Sequence, residues 1–217
     1  MSFYQVFDFL RDLNKNNNKA WMDEHRDRYQ EVRQFMLGWI ENLDKRLQKI
    51  DPSYTPNPAK KAISRINNNL VYKPNAPTYR DHFGAEMNKA KDKSSFYVHM
   101  SLNGSFIGGG FYGPSKDQLD SIRDAIDYNG EELKKIISKK SFINAFGEMS
   151  DKNALKTAPK GFAQDHKHIG LIRMKHFAVM HTITQKEITA DDFTDRVVKV
   201  YQEILPFNQY LEKAVSV

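Results

Sequence analysis

The chain has 217 residues, of which 40% are hydrophobic and 12% aromatic, and this composition is sufficient for the core of one folded domain. It contains no cysteine, which excludes disulfide bonds, thiolate metal sites and cysteine nucleophiles and favours a reducing cytoplasm. The formal charge of +6 favours anionic partners such as nucleotides, phosphorylated metabolites or nucleic acid. No apolar run has the length of a leader or a membrane span, so we expect a cytoplasmic protein with no membrane partner.

The first 50 residues are predicted to be helical. Apolar residues recur at helical spacing from Phe3 to Leu13, behind a possible cap at Ser2. After a break at residues 14–18, Asn18 can cap a longer helix that Asp51 and Pro52 should end.

The next part of the chain is predicted to form a sheet. Residues 62–66, 79–88 and 95–102 are typical of strands, and the last two alternate apolar with polar side chains. The pair Asn103-Gly104 predicts a hairpin with a type I′ turn, which leads into a strand from Ser105. Within that strand, residues 108–110 are glycines, which indicates a bulge or the close approach of another backbone or a ligand.

Helices and one more strand are predicted in the second half. Ser115 and Gln118 form a capping box for a helix that should end at Asn129-Gly130, and shorter helices follow to residue 146. Residues 173–182 are typical of a last strand, and residues 184–215 of helices that Pro206 should kink.

Together these elements predict one α+β domain over residues 1–217. Because the strands of residues 62–112 are adjacent in sequence and linked by hairpins, we expect a mainly antiparallel sheet of four or five strands, completed by residues 173–182. The long helices of residues 1–50 and 184–215, with those of 115–146, are expected to pack on one side of it.

A polar group near the 67–78 turn is the first candidate site. Guanidinium, ammonium, phenol and imidazole groups there can hold a phosphate or carboxylate, and the residues are Arg65, Lys73, Tyr79, Arg80 and His82. If the polar strand faces form one surface, Tyr97 and His99 add groups for acid–base chemistry near neutral pH. The alternative interpretation is a solvated strand edge.

A metal site is a second possibility, because Asp165, His166 and His168 are close in sequence and carry suitable ligand atoms. Asp165, at the start of a short helical run, is better explained as a helix N-cap. Residues 108–110 match neither a dinucleotide-binding fingerprint nor a Walker motif, so no cofactor is indicated.

Several motifs together are specific to one family of proteins. They are Asn16-Asn17-Asn18-Lys19-x-Trp21, Tyr79-x-x-His82-Phe83-Gly84, Gly108-Gly109-Gly110, Pro159-Lys160-Gly161-Phe162, Asp165-His166 and Lys175-x-Phe177. With these, the chain resembles, from its first helix to its last, a widespread bacterial family catalogued as domain of unknown function 2461 (DUF2461). The resemblance implies a fold and a candidate surface, and it implies no substrate.

The hallmark of the family is an arginine, then Arg-Asp-x-Arg-Phe, then an acidic or amide residue followed by lysine, and a tyrosine. This chain matches it in part, at Arg65, Tyr72, Asn75 and Tyr79. It departs from the hallmark at Asn68 and Asn69 in place of Arg-Asp, at Val71 in place of arginine and at Ala76 in place of lysine. If those charges serve a shared activity, this chain has lost or altered it.

The leading hypothesis is therefore a domain, enzymatic or not, that binds a small anionic ligand. Its proposed contact residues, chosen within the family-matching segments, are Arg65, Tyr72, Tyr79, His82, His166 and Lys175. The rival is a non-catalytic binding module for nucleic acid or a protein partner, supported by the basic balance and by Lys89, Lys91 and Lys93. A metal-dependent hydrolase is the third hypothesis, and the oligomeric state is not assigned.

Overall fold

A computed structural model describes residues 1–88, 90, 92–149 and 154–215. The chain forms two compact units. The first consists of Met1–Asn88, Tyr97–Ile107 and Thr182–Val198, and the second of Lys89–Phe96, Gly108–His181 and Lys199–Val217.

The fold class is α+β, as predicted. The helices are α1 (Phe3–Lys15), α2 (Lys19–Glu24), α3 (Arg26–Ile50), α4 (Ala59–Ala62), α5 (Lys116–Ile137), α6 (Lys140–Phe146), α7 (Ile169–Ile172), α8 (Gln185–Ile188) and α9 (Phe193–Val215). The strands are β1 (His82–Met87), β2 (Ser95–Ser101), β3 (Ser105–Phe111) and β4 (Phe177–Ile183). In the described residues they form an antiparallel sheet in the order β1-β2-β3-β4.

Several helices begin where the sequence predicts. Gln5 Oε1 accepts a hydrogen bond of 2.8 Å from the backbone N–H of Ser2 at the start of α1. Asn18 Oδ1 accepts one of 3.0 Å from Trp21 at the start of α2, and capping boxes at Ser115 and Thr184 start α5 and α8. Each contact lies within four residues, which is why the sequence alone identifies these helix starts.

The predicted helix from Asn18 to Ile50 is interrupted at His25. This residue ends α2 and precedes α3 with φ −105° and ψ 23°, while its ring stacks on Trp21 at 4.1 Å. The ring nitrogen Nδ1 lies 2.9 Å from the carbonyl oxygen of Trp21. A local aromatic contact thus accompanies the change in helix direction.

The core of the first unit is aromatic. Phe9 of α1 lies 6.4 Å, between ring centroids, from Phe83 of β1, and Trp39 of α3 stacks on Phe193 at 5.5 Å. The Trp39 indole N–H donates to Thr194 Oγ1 at 3.1 Å. These buried rings fix the position of β1, which carries part of the candidate site.

The alternation predicted for β1 and β2 is confirmed. Phe83, Ala85, Phe96, Val98 and Met100 are buried, and His82, Glu86, Tyr97 and His99 between them are partly exposed, whereas Gly84 and Ser101 on the polar face are buried. The predicted hairpin is present, but the type I′ turn is wrong: Gly104 has positive φ and Asn103 does not. The Ser105 hydroxyl, which bonds both backbone groups of Ser101, closes a loop of three residues instead.

Two predicted strands need correction. Residues 62–66 form no strand, because α4 occupies Ala59–Ala62 and the segment then makes only the isolated bridges Ile63↔Ala85 and Asn67↔Tyr79. The last strand begins at Phe177 rather than at residue 173, because α7 and the turn after it precede it. Both errors concern residues whose conformation depends on distant partners.

In the second unit, α5 does not end at Asn129-Gly130 as predicted. Asn129 is non-helical, with φ −144° and ψ 57°, and the helix resumes beyond it. A side chain at Gly130 would collide with His168, since its Cβ would lie 2.5 Å from Cδ2 of that ring. The glycine therefore leaves room for a buried histidine. Helix α9 continues through Pro206.

The glycines of β3 provide close approach of other elements. A Cβ at Gly109 would lie 2.6 Å from the Ile204 side chain, and one at Gly110 would lie 2.1 Å from the Phe177 carbonyl oxygen. The sequence indicated either a bulge or a close approach at these glycines. The two distances show the close approach of other parts of the chain.

In the described part of the chain, no helix is both long and apolar enough to cross a membrane.

Candidate functional site

Ionisable and aromatic side chains gather on one face of β1, β2 and β3 within the first unit. We call Asp81, His82, Tyr97, His99 and Phe106 the sheet-face cluster. The five side chains are partly exposed, and the residues that alternate with them along the strands are buried in the core. Strand periodicity thus places side chains from three strands beside one another.

Asp81 orients His82. The carboxylate Oδ1 of Asp81 lies 3.0 Å from Nδ1 of His82, and Oδ2 accepts a 3.0 Å hydrogen bond from the Asn103 amide. Burial alone would raise the pKa of Asp81, but the hydrogen bonds from His82 and Asn103 outweigh it and lower that pKa. The carboxylate is therefore ionised at neutral pH and holds the imidazole in place.

His99 is the most strongly perturbed member of the cluster. Its ring centroid lies 4.3 Å from that of His82, and it stacks on Phe106 at 4.8 Å. Burial, together with the neighbouring His82, lowers the pKa of His99 to about 4. The ring is therefore neutral at pH 7 and can accept a hydrogen bond there.

Tyr97 is a further member of the cluster, and its side chain occupies the space beside Gly84. The Tyr97 hydroxyl lies 3.4 Å from Nδ1 of His99, and a Cβ at Gly84 would lie 2.0 Å from that hydroxyl oxygen. Burial raises the pKa of Tyr97, although the positive charge of Arg80 opposes the effect. The glycine of the Tyr79-x-x-His82-Phe83-Gly84 motif thus leaves room for a neutral phenol.

Two arginines approach the same region. The Arg80 backbone N–H donates to the Ile66 carbonyl at 2.7 Å, and Arg65 follows Ser64, whose N–H donates to the Gly84 carbonyl at 2.8 Å. Within the described ranges, neither guanidinium forms an ion pair or a side-chain hydrogen bond. Both charges are therefore free to meet an anion.

The two tyrosines predicted as contact residues lie elsewhere in the first unit. Tyr79 is buried at 4% exposure, and the Asn17 amide bonds both its backbone groups, at 2.8 and 2.9 Å. Tyr72 is 83% exposed in the loop that follows Asn69. Tyr79 therefore supports the strand entry from the core, and Tyr72 is an isolated surface ring.

The residues that depart from the family hallmark shape that loop. Asn68 donates from its amide to the Pro77 carbonyl at 2.8 Å, and Asn69 Oδ1 accepts from the Val71 N–H at 3.2 Å. Val71 is 86% exposed. The two asparagines therefore act as turn formers in this loop.

His166 is predicted as a contact residue and lies in the second unit. Its Nε2 is 3.0 Å from Asp127 Oδ1, and its Nδ1 accepts from the His168 N–H at 3.1 Å. Both ring nitrogens are therefore engaged in structural contacts. Asp165 is exposed and is not an N-cap, because α7 begins after His168.

His168 is buried at 4% exposure, and its Nε2 lies 3.5 Å from Glu131 with no hydrogen bond to it. Burial lowers the pKa of this histidine. Over the residues that the structure describes, no group of three or more histidine or acidic side chains has the arrangement of a metal site. The metal hypothesis thus gains no support from Asp165, His166 and His168.

Lys175 also belongs to the second unit. It is exposed and lines a cavity of about 140 Å³ with Tyr112 and His176, which stack at 5.2 Å. The His176 ring accepts a hydrogen bond of 3.0 Å from the Gly113 N–H. Among the predicted contact residues, the structure thus associates His82 with the sheet-face cluster and Arg65 with the segment beside it, and describes His166 and Lys175 in their own unit.

The basic residues of the rival hypothesis are only partly described. Lys93 forms a 2.7 Å ion pair with Glu212 and is partly buried. Lys89 and Lys91 lie outside the described residues. The described lysine of this group is therefore engaged within the fold.

The sequence patterns do not identify Asp81 and Phe106 as members of the cluster. Asp81 directly precedes His82, and Phe106 is the outward neighbour of buried Ile107. The hairpin at residues 102–104 pairs β2 with β3. Cross-strand pairing from His99 is therefore the sequence signal that could have identified Phe106.

The low pKa of His99 predicts an acid-sensitive stability. The unfolded chain protonates this residue near pH 6.5, whereas the folded chain does so near pH 4. The unfolded state therefore binds more protons between those values, and the free energy of unfolding falls as the pH falls through this window. His168 contributes with the same sign.

We expect His99→Gln to remove roughly 1–2 kcal/mol of the stability difference between pH 7 and pH 4.5, after a reduction for partial exposure of the ring. Urea unfolding of the wild type and of His99→Gln at several pH values measures this difference. Parallel pH profiles for wild type and variant would contradict the assignment.

A scan against protein-family models matches residues 5–210 to the family described as Conserved hypothetical protein (DUF2461). No curated protein and no solved structure matches the chain.

Proposed function

The chain belongs to the DUF2461 family, and from its own residues we propose that it binds a small anionic ligand at the sheet-face cluster. In this proposal Arg80 and Arg65 supply positive charge, and His82, His99 and Tyr97 supply hydrogen bonds. The observation that carries the proposal is the Arg80 guanidinium, which has no ion pair among the described residues and whose charge acts on the neutral phenol of Tyr97, next to the neutral imidazole of His99.

Electrostatics favour this use of the face. A guanidinium that has no carboxylate partner retains its full attraction for a phosphate or carboxylate, and it can bind either with two hydrogen bonds. The nearby Asp81 is already bonded by His82 and Asn103. It therefore opposes an incoming anion less than a free carboxylate would.

The same groups support acid–base chemistry on the bound ligand. His82 with Asp81 is a carboxylate–imidazole pair, and neutral His99, next to the Tyr97 hydroxyl, can accept a hydrogen bond from a ligand hydroxyl. If the domain is enzymatic, we propose that the Asp81–His82 pair acts as the general base and that His99 contributes a hydrogen bond to the ligand. We place this function in the cytoplasm, since the chain contains no cysteine.

Titration with inorganic phosphate at low ionic strength tests the binding proposal. We expect phosphate to shift the imidazole NMR signals of His82 and His99, and Arg80→Gln to weaken binding by about tenfold, the effect of one hydrogen bond to a charged group. Arg65→Gln should weaken binding in the same direction.

Arg26→Gln is the matched control, since Arg26 is an exposed arginine of the same unit and already pairs with Asp23 at 2.6 Å. Melting temperatures of all three variants should remain near that of the wild type, because each side chain is at the surface. Unchanged imidazole signals, or an equal effect of Arg26→Gln, would rule out the proposed site.

A further inference from the structure

The sheet-face cluster contains more aromatic surface than a simple anion requires. His99 stacks on Phe106 with an interplanar angle of 20°, and the Tyr97 ring lies 5.8 Å from that of Phe106. His82 packs against His99 on the adjacent strand at 4.3 Å. Four rings from three strands therefore form one continuous patch on the face away from the core.

We propose that the anionic ligand is a mononucleotide, whose base stacks on the Phe106–His99 side of the cluster and whose phosphate meets Arg80. This inference rests on the proposed function and specifies its ligand class. Every nucleobase has a π-face that stacks on aromatic side chains, and aromatic rings on a sheet are a common platform for bases.

Charge along β1 sets the direction of the ligand. Arg80 lies just before the strand, whereas Glu86 lies near its far end, on the same face as His82 and Gly84 by strand alternation. Both charges act on the Tyr97 hydroxyl, Arg80 favouring and Glu86 opposing its ionisation. A phosphate is therefore attracted to the Arg80 end of the face.

The polar atoms of the cluster suit the middle of a nucleotide. The Tyr97 hydroxyl lies 3.4 Å from Nδ1 of His99, and the rings of His99 and His82 lie 4.3 Å apart, so these polar atoms are neighbours on this face. Ribose hydroxyls both donate and accept hydrogen bonds, so a neutral imidazole and a phenol are suitable partners. Base, ribose and phosphate thus each meet groups of matching chemistry.

Four probes separate the parts of the ligand: AMP, adenosine, ribose 5-phosphate and inorganic phosphate. Binding is measured by calorimetry and by the imidazole NMR signals. We expect AMP to bind about ten- to a hundredfold more tightly than ribose 5-phosphate, the range expected for stacking of one base.

Phe106→Leu isolates the stacking contact. It should remove most of the preference for AMP and leave ribose 5-phosphate binding unchanged, whereas Arg80→Gln should weaken both phosphate-containing ligands by a similar factor. Phe106 is partly exposed, so the variant should fold, and its melting temperature checks this.

The outcomes are distinguishable. Equal binding of AMP and ribose 5-phosphate would overturn the nucleotide proposal and leave the anion site intact. Failure of every probe, phosphate included, would overturn both proposals. A single-stranded oligonucleotide that binds far more tightly than AMP, with steep salt dependence, would replace the mononucleotide with nucleic acid.

Discussion

Gly110→Ala is expected to lower the free energy of unfolding by about 3 kcal/mol or more, from overpacking and left-handed backbone strain together. The new Cβ would lie 2.1 Å from the Phe177 carbonyl oxygen, and this oxygen belongs to backbone that cannot rotate away. The residue also has φ +104°, a conformation that alanine rarely adopts. Urea unfolding at pH 7 measures the loss.

Gly113→Ala is the matched control. Gly113 also has positive φ, at +70°, but nothing lies within 4 Å of the position that a Cβ would take there. We expect Gly113→Ala to lower the free energy of unfolding by about 1 kcal/mol, from backbone strain alone. The difference between the variants then reports the approach of Phe177 to Gly110, and equal losses would contradict that contact. If Gly110→Ala yields no soluble protein while Gly113→Ala does, the larger effect is confirmed by that comparison.

Arg123→Met is expected to lower the free energy of unfolding by about 3 kcal/mol. The loss combines the hydrogen bonds of a charged donor with the burial of carbonyls that have lost their partner. Arg123 is 7% exposed, and its guanidinium donates to the carbonyls of Ile172 and Met174 at 2.9 and 3.3 Å. These carbonyls belong to the turn that leads from α7 into β4. Methionine fills similar volume but cannot donate to either oxygen.

Lys135→Met on the same helix controls for removal of a positive charge, since Lys135 is exposed. It should change stability by less than about 0.5 kcal/mol. Arg123→Lys should give an intermediate loss, because an ammonium group cannot reproduce the fork of the guanidinium. A loss for Arg123→Met no larger than that for Lys135→Met would show that the two carbonyls need no buried donor.

The candidate site was predictable only in parts. Alternation along the strands identified His82, Tyr97 and His99 as members of one polar face, because side-chain direction in a strand follows from sequence position. Asp81 and Phe106 were missed, since their contacts depend on strand pairing. Tyr79 carries a family motif, but the structure buries its side chain and binds its backbone to Asn17.

Non-local contacts explain the errors in the fold as well. Residues 62–66 are extended beside β1 yet form only isolated bridges, and no local pattern distinguishes such a segment from a strand. The helix predicted to end at Asn129-Gly130 continues to Ile137, and the glycine there makes room for His168 from a distant loop. The start of helix α7 in that loop was not predictable from the sequence either, since α7 begins after His168 rather than at Asp165.

The amino-acid sequence by itself determined the α+β class, the helix starts at Ser2, Asn18, Ser115 and Thr184, and the hairpin between β2 and β3. Each of these depends on contacts within a few residues or on the period of the side chains along one element. Only the tertiary structure decided which polar side chains meet. It joined Asp81 to His82 and Asn103, stacked His99 on Phe106 and left Arg65 and Arg80 without an ion pair among the described residues, because such contacts join residues from different strands and loops.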